Sequence, residues 1–168
     1  MDSNIIINIE SPFQEEIEQF IRELNEVLLR ATPIEHCFHM TAAQLADSSC
    51  VLLVARNTEG VAMGMGALKK HGVQPISPGR SKTIRMGEVK RMYTAPAFLR
   101  IGVAKSILAA IERVAREEEI ELLVLDTGAG NDLYKAAWGL YERMGFKQRD
   151  RFLDCPDDGF RLFYEKEL

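Results

Sequence analysis

The sequence predicts a mixed α/β fold, with one mostly antiparallel sheet, one parallel strand pair and flanking helices. Three observations support it: two segments with apolar residues at helical spacing, several apolar runs of strand length, and a strand–helix–strand order near the middle. The chain has 168 residues, of which 46% are hydrophobic and 27% charged. That length and composition suit a single globular domain with its own core, which we expect to span residues 1–168.

The first third of the chain predicts a strand and two helices. Residues 5–9 are rich in isoleucine and predict a strand. Ser11 and Pro12 are suited to begin a helix as N-cap and first residue. Apolar residues from Ile17 to Leu28 then recur at helical spacing, so this helix has one apolar face. A short second helix is expected at residues 41–46.

The middle of the chain predicts a β-hairpin and then a third strand. The hairpin joins residues 50–56 and 61–69 through a turn at 57–60. Residues 70–82 contain two glycines and two prolines, which predict a loop. Residues 83–93 follow as a strand, which Pro96 ends.

The last third predicts a crossover and two terminal strands. Residues 102–118 show the clearest helical spacing in the chain. Residues 122–125 form a continuous apolar run, typical of a strand buried on both faces, as in a parallel pair. A helix at 133–144 and strands at 146–153 and 160–167 complete the predicted order.

Charge and cysteine content limit the classes of function. The chain has 21 basic and 25 acidic residues, a net charge of −4, which disfavours a nucleic-acid-binding protein. The longest apolar run, residues 50–55, is too short to cross a bilayer, and the first residues lack the basic segment of a signal peptide. Three cysteines without a CxxC pair favour a reduced, cytoplasmic protein.

Residues 99–106, with sequence LRIGVAKS, mark a candidate phosphate site. They lie where a strand is followed by the strong helix. The start of a helix carries unpaired N–H groups and a partial positive charge, which bind phosphate. Gly102 allows a ligand to approach the backbone, and Arg100 and Lys105 add positive charge. An ordinary helix start is an equally good interpretation of these residues alone.

A wider pattern resembles the GNAT family of N-acetyltransferases. Residues 85–106 resemble the family's acetyl-CoA-binding core, a strand, a proline and then Q/R-x-x-G-x-G/A. Gly102 and Ala104 match its last two fixed positions, whereas Leu99 replaces the usual glutamine or arginine. Residues 140–146, LYERMGF, resemble the family's LYExxGF signature. The predicted element order also resembles that of the family over nearly the whole chain.

The resemblance implies a GNAT-like acyl-CoA N-acyltransferase fold and an acetyl-CoA site. The parallel strands at 83–93 and 122–126 would splay apart, and backbone groups of Met92 and Tyr93 would pair with the pantetheine arm. The pyrophosphate would bind backbone N–H groups of Arg100, Ile101, Gly102, Val103, Ala104, Lys105 and Ser106. Either Asn131 or Tyr134 would supply a further cofactor contact.

The resemblance also implies catalytic roles for Glu88 and Tyr141. Acetyl transfer requires that the acceptor amine lose a proton and that the leaving thiolate gain one. Glu88 matches the family's glutamate base, which often acts through water. Tyr141 matches the tyrosine that commonly points at the sulfur and serves as the acid. From the sequence alone, an exposed strand carboxylate beside Lys90 is the better interpretation of Glu88, and the resemblance reverses that preference.

The resulting hypothesis is an acetyl-CoA-dependent N-acetyltransferase that acts in a ternary complex. The acceptor would be an amine of a small molecule or peptide. Residues 31–40 and 70–82 would shape the site that binds it. No nucleic-acid or membrane partner is expected, and the protein would be a monomer or homodimer. Alternatives are a catalytically silent acyl-CoA-binding module and a GNAT enzyme that uses another acyl-CoA.

Two further motifs are weaker. Asp126, Thr127 and Gly128 form a DTG motif, which makes a dimeric aspartic protease a remote alternative. Residues 36–39, HCFH, lack a fourth ligand and the spacing of a metal site, so no metal is expected. A role for His36 or His39 in the acceptor pocket stays open.

Overall fold

The computed structural model describes residues 4–37, 39–130 and 132–168. They form a seven-stranded mixed sheet with helices on both faces. The strands are β1 (Ile6–Ile9), β2 (Cys50–Arg56), β3 (Ala62–Pro75), β4 (Thr83–Thr94), β5 (Leu122–Gly128), β6 (Lys147–Arg149) and β7 (Arg161–Glu167). The helices are α1 (Glu15–Ala31), α2 (Ala42–Leu45), α3 (Val103–Glu117) and α4 (Lys135–Arg143), with 3-10 turns at Ile34–His36, Pro96–Phe98 and Asp132–Tyr134.

The strand order is β1-β2-β3-β4-β5-β7-β6. Every neighbouring pair is antiparallel except β4 and β5, which are parallel and joined through α3. This confirms the predicted mixed α/β fold with one parallel crossover. A parallel pair needs such a crossover because its two strands start at the same edge of the sheet.

The two faces of the sheet carry different layers. The face that we call the α3 face packs on α3 and α4, and its core includes Val89, Leu123 and Leu125. The opposite face, the α1 face, carries α1 over β2 and β3. Beyond α1, the α1 face is covered by Phe152 from the segment after β6, which packs on Val124. Alternate residues of β4 and β5 therefore point to chemically different surroundings.

The beginning of α1 differs from the prediction. Its N-cap is Gln14, in an extended conformation, and not Ser11. The Ser11 hydroxyl instead accepts a hydrogen bond from the N–H of Phe13, at 3.2 Å, so Ser11 and Pro12 form a turn that precedes the helix. Serine hydroxyls stabilise such turns as readily as helix N-termini, which explains the error.

Strand β3 is longer than predicted. It continues through residues 70–75, which the glycine and proline content assigned to a loop, and pairs with β4 up to Pro75 opposite Thr83. A register shift between Lys70 and Gly72 marks a β-bulge, where Gly72 has a φ of +68°. Glycine is suited to this left-handed conformation. The remaining loop covers only residues 76–82.

The two C-terminal strands, in contrast, are shorter than predicted. Strand β6 ends at Arg149 and β7 begins at Arg161. The intervening segment crosses the α1 face, where Phe152 is fully buried. The apolar residues of the segment therefore contribute to the core without belonging to a strand.

Candidate active site

A cleft opens where β4 and β5 stop pairing. Their parallel pairing covers three residue pairs and ends at Glu88 opposite Val124. Past that point, β4 stays paired with β3 up to Thr94, and β5 stays paired with β7 up to Gly128. The facing edges of the two strands thus lack strand partners in the described sheet. Such edges offer N–H and C=O groups to an extended ligand.

A β-bulge bends β4 along the cleft. Lys90 pairs with Ala67 and Tyr93 with Met65, so Arg91 and Met92 together oppose a single residue of β3. Arg91 has a φ of +54°. Its guanidinium is buried and donates a hydrogen bond from Nη2 to the backbone carbonyl of Ile21 on α1. Such a bulge bends and twists β4 locally, just past the point where its pairing with β5 ends.

The two predicted pantetheine contacts, Met92 and Tyr93, lie on this bent edge. The Met92 side chain packs on the α3 face, in space that is open because residue 66 is glycine; a Cβ there would lie 2.5 Å from Met92 Sδ. The Tyr93 ring packs against Phe20, and its hydroxyl donates a hydrogen bond to Glu23. Both side chains thus already pack against or bond to other residues of the protein. Their backbone groups remain as the candidate ligand contacts.

The predicted pyrophosphate residues come together at the start of α3. Gly102 is the N-cap, with a φ of +93°, and a Cβ on it would contact nothing within 4 Å. The first intrahelical bond runs from the N–H of Ser106 to the carbonyl of Gly102, at 2.9 Å. The N–H groups of Val103, Ala104 and Lys105 therefore point out of the helix end. The first turn carries no acidic residue, which preserves its attraction for anions.

The flanking residues of this turn leave it accessible. Arg100, Ile101 and Gly102 are exposed, as is Leu99 at 55%. Arg100 has a φ of +66°, which reverses the chain tightly before the helix. The leucine at the family's usual glutamine or arginine position thus contributes no side-chain donor, which leaves the backbone N–H groups as the candidate anion contacts.

Glu88 is buried at the closed end of the cleft, on the α1 face. It is 4% exposed, which excludes the interpretation of a solvated strand carboxylate. Its Oε1 accepts from Lys90 Nζ at 2.8 Å, and its Oε2 lies 2.7 Å from His71 Nε2. Burial alone would raise the Glu88 pKa, but hydrogen bonds and charge from His71 and Lys90 together lower it. The carboxylate is therefore ionised at neutral pH.

His71 is the residue that sequence analysis missed. It stands at the bulge of β3, in the stretch assigned to a loop. A strand assignment would have placed it two residues after Lys69, which pairs with Glu88, and therefore on the same face as Glu88. The two-residue spacing of Lys69 and His71 would have indicated this shared face. The glycines and prolines around His71 predicted a loop instead.

Tyr141 lies on α4, on the α3 face of the sheet. It is 6% exposed, and its ring packs at 5.9 Å from that of Phe146 and 6.1 Å from that of Tyr164. Tyr164 pairs with Leu125, the first residue of β5 past the parallel pairing. Burial, with a smaller contribution from Asp126, raises the Tyr141 pKa well above its ordinary value. The phenol consequently keeps its proton throughout the neutral range.

Asp126 and Arg161 form the centre of a charged network on the α1 face. Arg161 Nε lies 3.3 Å from Asp126 Oδ2, and the same guanidinium contacts Asp158. Arg161 Nη2 also donates to the backbone carbonyl of His36, at 2.6 Å. Burial raises the Asp126 pKa. The network ties the end of β5 to the segment after α1, which was predicted to shape the acceptor site.

Both histidines of that segment have defined surroundings. The ring of His36 stacks on Phe160, with centroids 4.3 Å apart, and its Nδ1 lies 3.0 Å from Asp158 Oδ2. Burial lowers the His39 pKa, so this ring is neutral. His39 Nε2 is buried without a hydrogen-bond partner among the residues that the structure describes.

Of the two candidates for the further cofactor contact, Asn131 and Tyr134, the structure describes only Tyr134. Asn131 lies outside the described residues. Tyr134 is buried, with its hydroxyl 3.0 Å from that of Thr32. Its ring fills the space beside Gly128, where a Cβ would lie 2.0 Å from a ring carbon. Tyr134 thus joins the end of β5 to the end of α1.

A split parallel strand pair beside an anion-attracting helix start defines an acyl-CoA-binding class of protein. Known proteins that are similar to this chain belong to the same class. The family model described as "Acetyltransferase (GNAT) family" matches residues 13–146. The chain is 32% identical over 166 residues to an IAA acetyltransferase of Azospirillum brasilense, covering 98% of this chain and 99% of the relative. It is 31% identical over 145 residues to an uncharacterized N-acetyltransferase, YedL, of Escherichia coli strain K12, covering 84% and 80%.

Solved structures point to the same fold. A Klebsiella pneumoniae protein, provisionally named as an acyl-CoA N-acyltransferase, superimposes with a TM-score of 0.75 at 26% identity, covering 99% of both chains. The chain therefore belongs to the GNAT family of acetyltransferases. This confirms the resemblance seen in the sequence and the GNAT-like acyl-CoA N-acyltransferase fold that it implied.

The family and the fold also exclude the aspartic protease alternative. Asp126, Thr127 and Gly128 end a strand inside a mixed sheet with helices on both faces, whereas aspartic proteases are all-β, so that alternative is wrong. Among the described residues, no helix has the length and apolar character needed to cross a membrane.

Proposed function

We propose that this chain is an N-acetyltransferase that moves an acetyl group from acetyl-CoA directly to an amine in a ternary complex. The observation that carries the proposal is the cleft between β4 and β5, with a buried carboxylate, Glu88, at its closed end. The acceptor would be an amine of a small molecule or peptide. The whole chain, residues 1–168, would act as one cytoplasmic N-acetyltransferase domain.

The residues of the cleft and of the α3 start would bind two different parts of an acyl-CoA molecule. Backbone groups of Met92 and Tyr93 would pair with the pantetheine arm as an added strand would. The N–H groups from Arg100 to Ser106 would hold the pyrophosphate, because the α3 start concentrates donors and positive potential. A helix start with no acid in its first turn and a glycine N-cap supports this assignment.

The two faces of the sheet support separate roles for the two catalytic candidates. Glu88, on the α1 face, would assist removal of the amine proton. Tyr141, on the α3 face, would donate its phenolic proton to the departing sulfur. The raised Tyr141 pKa means that the phenol carries its proton at neutral pH. The acyl-CoA supplies a thioester, whose carbonyl carbon is open to attack by the neutral amine.

A ligand screen followed by a transfer assay tests the proposal. Acetyl-CoA at 100 times its dissociation constant adds about 2.7 kcal/mol to the free energy of unfolding, which raises the Tm of a domain this size by several degrees. Succinyl-CoA and free CoA run in parallel test the choice of acyl group. Thiol release would then be followed across a panel of amines.

The outcomes separate the proposal from its alternatives. Stabilisation by acetyl-CoA and amine-dependent thiol release support the proposed reaction. Stabilisation without thiol release for any amine indicates a silent acyl-CoA-binding module. Greater stabilisation and faster thiol release with succinyl-CoA indicate another acyl donor. No stabilisation by any CoA species contradicts the proposed ligand.

A further inference from the structure

The Glu88 carboxylate is already hydrogen-bonded through both oxygens, which limits what it can do as a base. Oε1 accepts from Lys90 Nζ at 2.8 Å, and Oε2 pairs with His71 Nε2 at 2.7 Å. A general base works best when its pKa is near the operating pH. A carboxylate held ionised by two partners has too little affinity for a proton to retain one taken from an amine.

The protonation states within the pair follow from these bonds. An ionised carboxylate can only accept hydrogen bonds. His71 Nε2 must therefore carry the hydrogen that bonds to Glu88, and Nδ1 is the basic nitrogen of the neutral ring. Imidazole is the side chain that ordinarily changes charge between pH 5 and 8. A proton on Nδ1 is thus compatible with the hydrogen bond between Nε2 and the charged Glu88 carboxylate.

We propose that His71 receives the proton of the acceptor amine, and that the Glu88 carboxylate orients the imidazole and stabilises the imidazolium. The arrangement parallels the histidine–carboxylate pairs of hydrolases, in which the carboxylate is not itself protonated. This inference rests on the proposed acetyl transfer. It names His71 as the group on which the amine proton comes to rest.

The position of His71 suits this role. Its side chain is 15% exposed and that of Glu88 is 5% exposed, so the imidazole is the more solvent-accessible member of the pair. The bulge after Lys70 inserts His71 as an extra residue beside β4. Gln74 Nε2 donates a hydrogen bond to the backbone carbonyl of His71, at 2.7 Å, and so stabilises the backbone at the bulge.

The surrounding charges support a proton site at this place. The charged or titratable groups near the pair are Lys90 on β4, Asp126 on β5, Cys155 after β6 and the cross-strand Lys69 on β3. Asp126 and Cys155 have pKa values raised by burial, so the Cys155 thiol remains neutral near pH 7. Glu88 is thus the carboxylate in direct contact with the His71 ring.

The protons balance over one turnover. The protonated amine gives one proton to His71 Nδ1, which releases it to solvent. The neutral amine attacks the thioester carbonyl, forming the C–N bond. The C–S bond then breaks, and the sulfur takes the Tyr141 proton. The nitrogen loses its second proton as the amide forms, and that proton restores the phenol.

The first test is the pH profile of His71→Gln. The glutamine amide can still donate to Glu88 but cannot take up a proton at neutral pH. We expect kcat to fall by ~10²-fold, with an unchanged KM for acetyl-CoA and loss of the acidic limb of the kcat/KM profile. Retention of wild-type kcat and of that limb would overturn the proposal.

The second test needs no acetyl donor. The chain has three histidines, so imidazole NMR signals can be assigned by single replacements. Glu88→Gln should move the protonation midpoint of the His71 signal to lower pH, because the stabilising anion is gone. His36→Gln is the matched control, since it breaks another histidine–carboxylate pair and should leave the His71 signal unchanged. A His71 midpoint that ignores Glu88→Gln would overturn the proposal.

These outcomes distinguish two failures. A wild-type protein that acetylates no amine contradicts the proposed function, and the inference fails with it. Normal acetyl transfer by His71→Gln contradicts only the role of His71 and leaves the proposed function standing.

Discussion

Glu88 and Tyr141 lie on opposite faces of the sheet, both beside the point where β4 and β5 stop pairing. Glu88 is the last residue of β4 in the parallel pairing. Tyr141 packs on Tyr164, which pairs with the first residue of β5 past that point. The point where the two strands separate therefore has a buried carboxylate on one face of the sheet and a buried tyrosine on the other.

Replacement of the Glu88 carboxylate is expected to lower turnover. Glu88→Gln keeps the size of the side chain but removes the anion that holds His71 and Lys90. We expect kcat to fall by ~10²-fold or more, measured as amine-dependent thiol release. The Glu88 pKa is lowered, so the wild-type carboxylate stays ionised as the pH falls through neutrality and causes no loss of activity there.

Glu112→Gln is the matched control for that experiment. Glu112, on α3, is also a buried carboxylate, and Lys166 Nζ of β7 donates to it at 2.8 Å. Its replacement should reduce Tm but leave kcat near the wild-type value. An equal loss of kcat in both variants would mean that Glu88 acts only through stability.

Loss of the Tyr141 hydroxyl is expected to slow release of the thiolate. Tyr141→Phe keeps the ring contacts with Phe146 and Tyr164, so Tm and affinity for acetyl-CoA should change little. Turnover should fall by ~10²-fold. Because burial raises the Tyr141 pKa, the wild-type phenol stays protonated, and the enzyme should show no alkaline loss of kcat from this group below pH ~10.

Tyr164→Phe provides the comparison for Tyr141→Phe. The Tyr164 ring belongs to the same cluster, but its hydroxyl is hydrogen-bonded to Gln148 on β6 and Glu142 on α4. This variant should retain turnover. Unchanged turnover in Tyr141→Phe would show that Tyr141 is not the acid.

Gly102 is expected to determine binding of the pyrophosphate. Gly102→Ala puts a Cβ on a residue with a φ of +93°, which strains the turn by ~1–2 kcal/mol and shifts the N–H groups of the α3 start. Affinity for acetyl-CoA should fall, while affinity for acetyl-pantetheine, which lacks the pyrophosphate, should not. Both affinities can be measured by titration calorimetry.

Gly60→Ala separates strain from ligand binding. Gly60 has a φ of +84° in the turn between β2 and β3, and a Cβ there also meets nothing within 4 Å. It should lose similar stability with no change in affinity for acetyl-CoA. Equal loss of acetyl-CoA and acetyl-pantetheine affinity in Gly102→Ala would contradict the proposed pyrophosphate site.

Gly128 is expected to be required by Tyr134. A Cβ on Gly128 would lie 2.0 Å from the Tyr134 ring, so Gly128→Ala must displace the ring or the end of β5. Overpacking of this kind costs ~1–3 kcal/mol, which thermal unfolding would detect. In a Tyr134→Leu background the same change should cost less. An equal cost in both backgrounds would mean that the ring can move freely.

The sequence was enough to predict the parts of the fold that depend on local pattern. The spacing of apolar residues indicates α3, and the apolar run at 122–125 indicates a buried parallel strand. The same crossover places Gly102 at a helix start. These features depend on periodicity and on backbone preferences, both of which are properties of short segments.

The remainder depends on pairing between distant segments. The bulges at Arg91 and His71 are set by the register of β3 against β4, which no local pattern encodes. Glycine and proline content suggested a loop at 70–75, but pairing with β4 outweighs that local preference. For the same reason the burial of Glu88 and its bond with His71 appeared only in the structure.

The most direct test of acetyl transfer in a ternary complex is to follow the protein, the donor and the amine together by mass spectrometry. Incubation with acetyl-CoA alone should leave the mass of the protein unchanged. Addition of an acceptor amine should give free CoA and acetylated amine in equal amounts. An acetyl group on the protein, or no acetylated product with any amine, would contradict direct acetyl transfer.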